Sequence, residues 1–522
     1  MKYSSTLAER PYDVIIIGSG VSGLALASLQ AKQGRSVLVL EKHYVPGGFT
    51  HTYKRGGHEW STGLHYLGDL HREEHPLRIV FDYVSGNKLK WNALPEEYDR
   101  FVFPDKSYSL RAGMENFREE MLKHFPEERK AINEYLKLLP RMTDALGKTA
   151  VASLLPSFLR GAVEGPDAHY LQTSTWNVLR SLTSNERLIA VLTGQWGNYG
   201  LPPKKSSFGV HGVIAHHYLN GGCFPEGGSS SVARTMISEI ESNGGIVAHS
   251  ADVERVIVKG NEATGVELAD GDKIYGKRIV SSAGLTNTWS KLIPRSEYLS
   301  HMVPSSGYVS LTIGADIPSE ELNHAGGNLW VYNDYDHDRA FDDYYRDPEG
   351  KRPPMFYISF PSLKDRTWKS RIGNKTAIDV LGIGNYEWFR QWEGTRAHKR
   401  GEDYVQKKKE LMKPYLQALT GLFPQLEGNM NFEEISTPLT VRHYVNYQHG
   451  EIYGTELSAD RYKDLRRAKT PIKNFYLTGQ DILINGICGA LTSALVTSLA
   501  MSPLDTTSQL LPLGVLGRKL RD

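Results

Sequence analysis

The chain has 522 residues, too many for one compact core, so two domains are expected. With 40% apolar and 23% charged residues it is neither disordered nor fibrous, and a net charge of +2 without a basic, aromatic-interleaved stripe excludes a nucleic-acid binder. Cys223 and Cys488 alone provide neither a disulfide framework nor a CxxC metal or redox motif, which fits a reducing, cytoplasmic setting.

The N-terminal "MKYSSTLAERPYDV" lacks the apolar core of a signal peptide, and no run of about 18 apolar residues occurs. Val14–Ile17 is a β-branched run, as expected of a parallel strand covered on both faces. It leads into a glycine turn, a helix that should stop near Gly34, and a second buried strand closing on Glu41. From Met114 to about Met142 the spacing predicts helix, divided by Pro126. "ASLLPSFLRGAV" (152–163) and "LLPLGVLGRKLRD" (510–522) place apolar residues beside basic ones, as membrane-surface segments do; a packed helix and a terminal tail read equally well.

Pro225–Gly245 predicts a Ser-capped helix with a glycine stop. Gly244–Gly284 predicts short alternating strands ending in another buried strand, "RIVSSAG". Gly307–Ala315 and Pro353–Phe360 read as aromatic-rich strands. Near the C-terminus, "NFYLTGQDILINGICGALTSALVTS" (474–498) again reads as strand, turn and helix.

Gly18, Gly20 and Gly23 form G-x-G-x-x-G between a strand and a helix. The first glycine permits the turn, the second lets backbone approach a pyrophosphate, and the third lets helix and strand pack closely. Phosphates would sit on unpaired helix N–H groups. Glu41, about twenty residues on, can grip both ribose hydroxyls and would repel a 2′-phosphate, leaving NAD or FAD. The second glycine-rich approach, Gly47-Gly48 followed by Gly56-Gly57, favours the longer dinucleotide, FAD. "LGIGNYEW" (381–388) lacks the third glycine and the helix, so no further nucleotide fingerprint is present. The electrons are then expected from a separate donor or a weakly held NAD(P)H.

"GSGVSGLALASLQAKQGRSVLVLEKH", "PGG" and "GLHYLG" resemble the phytoene desaturase and carotenoid isomerase-like FAD-dependent oxidoreductases. Within that group, "HHYLNGGCFPEGGSSSVA", "ISFPSLKDRTW", "NYEWFRQW", "TPLTVRHYV" and "YLTGQDILINGICGAL" resemble, in order, blocks of the retinol saturase (all-trans-retinol 13,14-reductase) family. The chain departs from that pattern at Ser61, where the family usually carries Asp, and lacks the N-terminal targeting segment of the animal enzymes.

The resemblance implies an α/β fold, with a Rossmann-like, p-hydroxybenzoate-hydroxylase-like FAD domain interleaved with an α+β substrate domain. The expected FAD domain is 1–84, 221–290 and 431–505; the substrate domain is 85–220 and 291–430; 506–522 is a tail able to touch a membrane surface. It also implies chemistry on C=C bonds of a long apolar polyene: saturation of a retinoid or carotenoid-like lipid, with desaturation, reduced-flavin isomerisation or unsaturated fatty-acid redox chemistry as alternatives. FAD contacts are expected from Gly18, Gly20, Val21, Ser22, Gly23, Glu41, Lys42, Gly47, Gly48, His65, Val253, Gly479, Asp481, Gly486, Ile487 and Gly489. The family uses the backbone at Val253 toward adenine and the residue matching Asp481 toward the ribityl chain, while the helix from Gly486 can face flavin N1 and O2. His65, Tyr66, His211 and His217 are the candidate proton donors, since a neutral His or Tyr can give a proton near neutral pH. His211, His216 and His217 have no Cys, Asp or Glu at ligand spacing, which argues against a metal. The aromatics Trp176, Trp196, Tyr199, Phe208, Tyr308, Trp330, Tyr332, Phe356 and Tyr357 suit either a polyene tunnel or plain core.

Overall fold

Two seven-stranded sheets organise the protein, for which a computed structural model describes residues 1–300, 302–347, 349, 351–463 and 467–515. The first sheet is built on Tyr12–Ile17, which runs parallel between Val37–Glu41 and Lys273–Ser281. Side-chain alternation explains its solid β-branched sequence. Val14 and Ile16 pack with the helix Val21–Lys32 on one face, while Ile15 and Ile17 pack toward Trp289 and Phe475 on the other. Ile246–His249 continues the sheet beside Val37–Glu41, and Phe475–Leu477 joins the far end of Lys273–Ser281 in parallel.

Lys273–Ser281 therefore serves two partners. Its first residues pair antiparallel with Glu262–Leu268, and its last three pair parallel with Phe475–Leu477. Three stretches distant in sequence thus meet in one sheet, and the carboxyl ends of its parallel strands lie together. Such an edge is where open α/β sheets bind ligands. Two helices start from it, Val21–Lys32 and Gly486–Met501; they share a core cluster and are tied by Gln30 Nε2 donating to Ser498 Oγ at 2.9 Å.

The second sheet runs Met430–Ser436, Gly307–Ala315, Thr376–Gly384, Met355–Ser359, Asn328–Tyr332, Glu97–Val102, Ser107–Arg111. Its pairings are antiparallel except between Asn328–Tyr332 and Glu97–Val102. Helices Met114–His124, Arg129–Ala152 and Phe208–Leu219 stand against it around an aromatic core. The first two are separated by Pro126–Glu128, where the ring cannot continue the preceding helix.

Two strand pairings cross the expected boundaries. Position 431 falls inside Met430–Ser436, which pairs with Gly307–Ala315 and so belongs to the second sheet. Trp91–Ala93, on the substrate side of position 84, pairs with Gly222–Pro225 from the nucleotide side. The helix expected after Pro225 spans Ser230–Ser242, but Ser229 at its start makes no capping bond, and its buried hydroxyl has no partner among the described residues. Ser157–Glu164 buries none of its residues, and Phe158 is 82% exposed. The helix Pro503–Leu510 instead docks, with Leu510 buried and Gln509 Nε2 donating to the Leu29 carbonyl at 3.1 Å. Residues 516–522 of the expected tail lie outside the described residues. No described helix is long and apolar enough to cross a membrane.

Candidate active site

A cavity of about 1050 Å³ opens along the carboxyl edge of the first sheet and continues to the second sheet. Small-molecule sites typically occupy roughly 300–1,000 Å³, so this one has room for a long ligand. Its wall holds Gly18, Gly20, Val21, Ser22, Glu41, Lys42, Gly47, Gly48, His65, Val253, Gly479, Asp481, Gly486 and Ile487, fourteen of the sixteen expected cofactor residues. Gly23 and Gly489 sit behind it. A Cβ on Gly23 would lie 2.3 Å from the Gly18 carbonyl oxygen, and one on Gly489 2.2 Å from that of Ile484. Both glycines permit close packing, as the third fingerprint position requires.

The glycines that face the cavity behave differently. A Cβ on Gly20, Gly479 or Gly486 would meet nothing within 4 Å, so these backbones border open space. Gly18, at φ +97°, makes the turn that only glycine adopts easily. Gly48 brings the second loop against the first, its Cβ position 3.2 Å from the Gly20 Cα. Neither Gly20 nor Asn485, the residues before the two helices, supplies a side-chain cap. Two sets of orphan N–H groups at positive helix ends therefore border one cavity, an arrangement suited to anionic groups at two separate points.

The carboxylates are already engaged. Glu41 Oε2 accepts from Ser19 N–H at 2.9 Å and Ser19 Oγ–H at 2.6 Å, and Oε1 from His43 N–H at 2.7 Å. A carboxylate has about four acceptor sites, so capacity for a hydroxyl remains. Lys42 pairs with Asp252 at 3.1 Å. The Ser22 hydroxyl bonds Thr478 and thereby joins the two glycine loops, leaving only its backbone for a ligand. Asp481 clasps three segments: Oδ1 accepts from Thr455 N–H at 2.8 Å and its hydroxyl at 3.0 Å, and Oδ2 from Leu285 N–H at 3.0 Å.

Of the four candidate proton donors only His65 reaches the cavity. Tyr66 donates its O–H to Asp99 Oδ2 at 2.9 Å, and burial, then the Asp99 charge, pushes its phenol well above the usual range. His211 is enclosed by Tyr135 and Tyr199, each hydrogen-bonded to it at 3.0 Å. His217 Nε2 accepts from Gly68 N–H at 2.9 Å. Burial pushes both imidazoles down to about 3, so they stay neutral at neutral pH. The structure thus brings His65 to the cavity wall and holds Tyr66, His211 and His217 in buried hydrogen bonds away from it.

Sequence reasoning missed what lies behind His65. Asp379, wholly buried on Thr376–Gly384, places Oδ2 3.5 Å from His65 Nδ1. The Lys364 ammonium donates to the His65 carbonyl at 3.0 Å, to Ser359 Oγ at 2.7 Å and to Asn328 Oδ1. Asn328 in turn donates to Asp99 at 2.8 Å. Burial drops Lys364 to about 7 against the pull of Asp99 and Asp379, and raises Asp99 to about 6. A lone acid in the apolar run "TAIDVLGIG" was the available signal. Of the nine aromatics considered for a tunnel, only Tyr308 lines the cavity; Trp196, Tyr199, Phe208, Trp330, Tyr332 and Tyr357 are core. The other lining aromatics are Tyr44, Phe49, Tyr53, Tyr404, Tyr444, Tyr447 and Tyr453.

Comparison with known proteins agrees with this architecture. Residues 16–84 match the NAD(P)-binding Rossmann-like domain family, which points to a dinucleotide cofactor. A solved putrescine oxidase with putrescine bound shares the fold over 95% of this chain and 99% of its own, with a TM-score of 0.62 at 16% identity. A more distant relative, a chloroplastic prolycopene isomerase of Daucus carota, is 25% identical over 84% of this chain and 71% of its own. The human all-trans-retinol 13,14-reductase is 33% identical over 96% of this chain and 87% of its own. That of Danio rerio is 36% identical over 92% of this chain and 84% of its own. With both domains covered at that identity, the chain belongs to the all-trans-retinol 13,14-reductase family.

Proposed function

We propose that the protein is an FAD-dependent oxidoreductase that saturates a C=C bond of a retinoid, all-trans-retinol being the first substrate to test. The observation that carries this reading is one continuous cavity, in a member of this family, joining a dinucleotide cradle to an aromatic lobe. What supports FAD is that three open glycine positions, two uncapped helix starts and the Glu41 carboxylate at the end of the next strand share one wall. When bound, the isoalloxazine would supply or accept a hydride.

The chain's part is positioning and charge. Backbone N–H groups from Gly20 to Ser22 would hold the pyrophosphate, and Glu41 would accept from the ribose. N–H groups at Gly486 and Ile487 would face the end of the ring system that becomes negative on reduction. A helix N-terminus favours an anion by roughly 0.3–1 kcal/mol, and about 2 kcal/mol when partly buried. Tyr308, Leu381 and Tyr453 give a polyene an apolar bed near His65, the cavity's candidate proton donor. The reductant is read as a separate donor, with NAD(P)H the first small molecule to try.

The relative named prolycopene isomerase supports a second reading, isomerisation without net redox change. Chemically reduced, flavin-loaded protein incubated with all-trans-retinol separates the two. A product carrying two more hydrogen atoms supports saturation. A product of unchanged mass but altered retention supports isomerisation and rejects the first reading.

A further inference from the structure

Among the described residues, Asp379 is the one buried acid with both oxygens lacking a hydrogen-bond partner, and it is wholly buried. An isolated buried carboxylate is strongly disfavoured unless paired and hydrogen-bonded. The group facing it is His65 Nδ1, 3.5 Å from Oδ2, and neither His65 ring nitrogen has a hydrogen-bond partner either. A movement of a few tenths of an ångström would make this a hydrogen bond, and catalytic contacts in ligand-free proteins are often long in this way. Lys364 fixes His65 from behind, its ammonium on the His65 carbonyl and on Ser359 of the strand beside Asp379.

The pair belongs to a larger buried cluster. Asp99 and Asp379 are two buried carboxylates, and Lys364 is the one buried ammonium between them. The other titratable groups facing the cluster are Tyr53 and Tyr357 toward Asp379, Tyr66, Tyr98, Tyr218 and Tyr332 toward Asp99, and the His324 imidazole toward Lys364. Of Asp99, Asp379, Lys364 and His65, His65 is the member that borders the cavity.

We propose that Asp379 is a positioning residue that orients His65 and holds a proton on it for delivery into the cavity, with Lys364 anchoring the pair. This rests on the saturation reading above. In that step a hydride from the reduced cofactor forms one C–H bond. The proton of His65 forms the other as the π bond breaks. The substrate gains two electrons, the cofactor loses two, and neutral His65 regains its proton from water after product leaves.

The test uses flavin-loaded protein in wild-type, Asp379→Asn, Asp379→Glu, Lys364→Met and His65→Gln forms, with flavin content and thermal unfolding checked for each. The first readout needs no substrate: the NMR signal of histidine-labelled protein. A slowly exchanging, downfield His65 Nδ1–H signal is expected in wild type and Asp379→Glu, and is expected to vanish in Asp379→Asn and His65→Gln. The second is the single-turnover rate on retinol against pH. His65→Gln should lose about 10²-fold or more, as removal of a general acid does. Asp379→Asn should lose about tenfold at neutral pH and recover as pH falls, a recovery that a purely structural role would not give. An Asp379→Asn protein with full flavin, an unchanged Nδ1–H signal and a wild-type pH–rate profile would overturn the proposal. If wild type shows the signal and Asp379→Asn loses it, yet no variant reduces retinol, the pair stands and the saturation reading fails.

Discussion

Gly20 and Gly23 lie three residues apart in one motif, and the structure gives them opposite fates on substitution by alanine. At Gly20 the backbone is extended, with φ −62° and ψ 169°, and a Cβ would meet nothing within 4 Å. Gly20→Ala should leave the ligand-free fold intact or raise its stability by about 0.4–1 kcal/mol, since alanine loses less chain entropy at a compatible site. The new methyl would instead occupy cavity space where phosphate oxygens must approach. Losing two charge-assisted N–H bonds at about 1.5–3 kcal/mol each weakens binding by about 3–6 kcal/mol, roughly 10²–10⁴-fold. At Gly23 the Cβ would lie 2.3 Å from the Gly18 carbonyl oxygen, a backbone atom with no room to retreat. Gly23→Ala should cost about 1–3 kcal/mol in the ligand-free protein, lowering its Tm by roughly 1–3 °C. Flavin-stripped proteins can be compared by thermal unfolding and by fluorescence titration with FAD. A Gly20→Ala protein that binds FAD like wild type, or one that unfolds as early as Gly23→Ala, would refute the assignment of the cradle.

Three further outcomes are expected. Asp481→Ala should lower ligand-free stability by roughly 1–3 kcal/mol as well as flavin content, because it strands the buried N–H groups of Leu285 and Thr455; urea unfolding of stripped protein measures the first effect. Burial holds His211 down at about 3, so unfolded chains take up a proton below about pH 6.5 while the folded state does not. Its contribution to stability is present above that pH and is lost as pH falls toward 3. The advantage of wild type over His211→Asn in urea unfolding should therefore shrink by roughly 2 kcal/mol between about pH 6.5 and 5, and a constant gap would contradict this. Leu381→Trp should fill the lobe beside Tyr308, preserving flavin content while abolishing retinoid turnover.

The nucleotide half was legible because its physics is local. A glycine that must turn at φ +97°, a β-branched strand buried on both faces and a carboxylate at the next strand end each leave a mark within some thirty residues. The C-terminal strand, turn and helix could be read for the same reason, although their partner, Lys273–Ser281, lies some 200 residues away. The substrate half was not readable in this way. Whether Tyr357 or Tyr453 faces the cavity depends on how antiparallel strands and loops register across the second sheet, and both look alike in sequence. His211 and His217 carried a plausible chemical signal, but tertiary packing turned them toward Tyr135, Tyr199 and the Gly68 backbone. Asp379 failed to register for the opposite reason: an isolated acid in an apolar strand has no motif, and its meaning comes only from the histidine brought opposite it across more than 300 residues.

The central claim is that a flavin in the glycine cradle exchanges a hydride with a polyene lying in the aromatic lobe. Anaerobic mixing of reduced, FAD-loaded protein with all-trans-retinol, followed by absorbance and product mass, tests it most directly. The account predicts that the oxidised-flavin band returns in step with one equivalent of dihydro product. A flavin that stays reduced while the retinoid remains unchanged, or only isomerises, would contradict it.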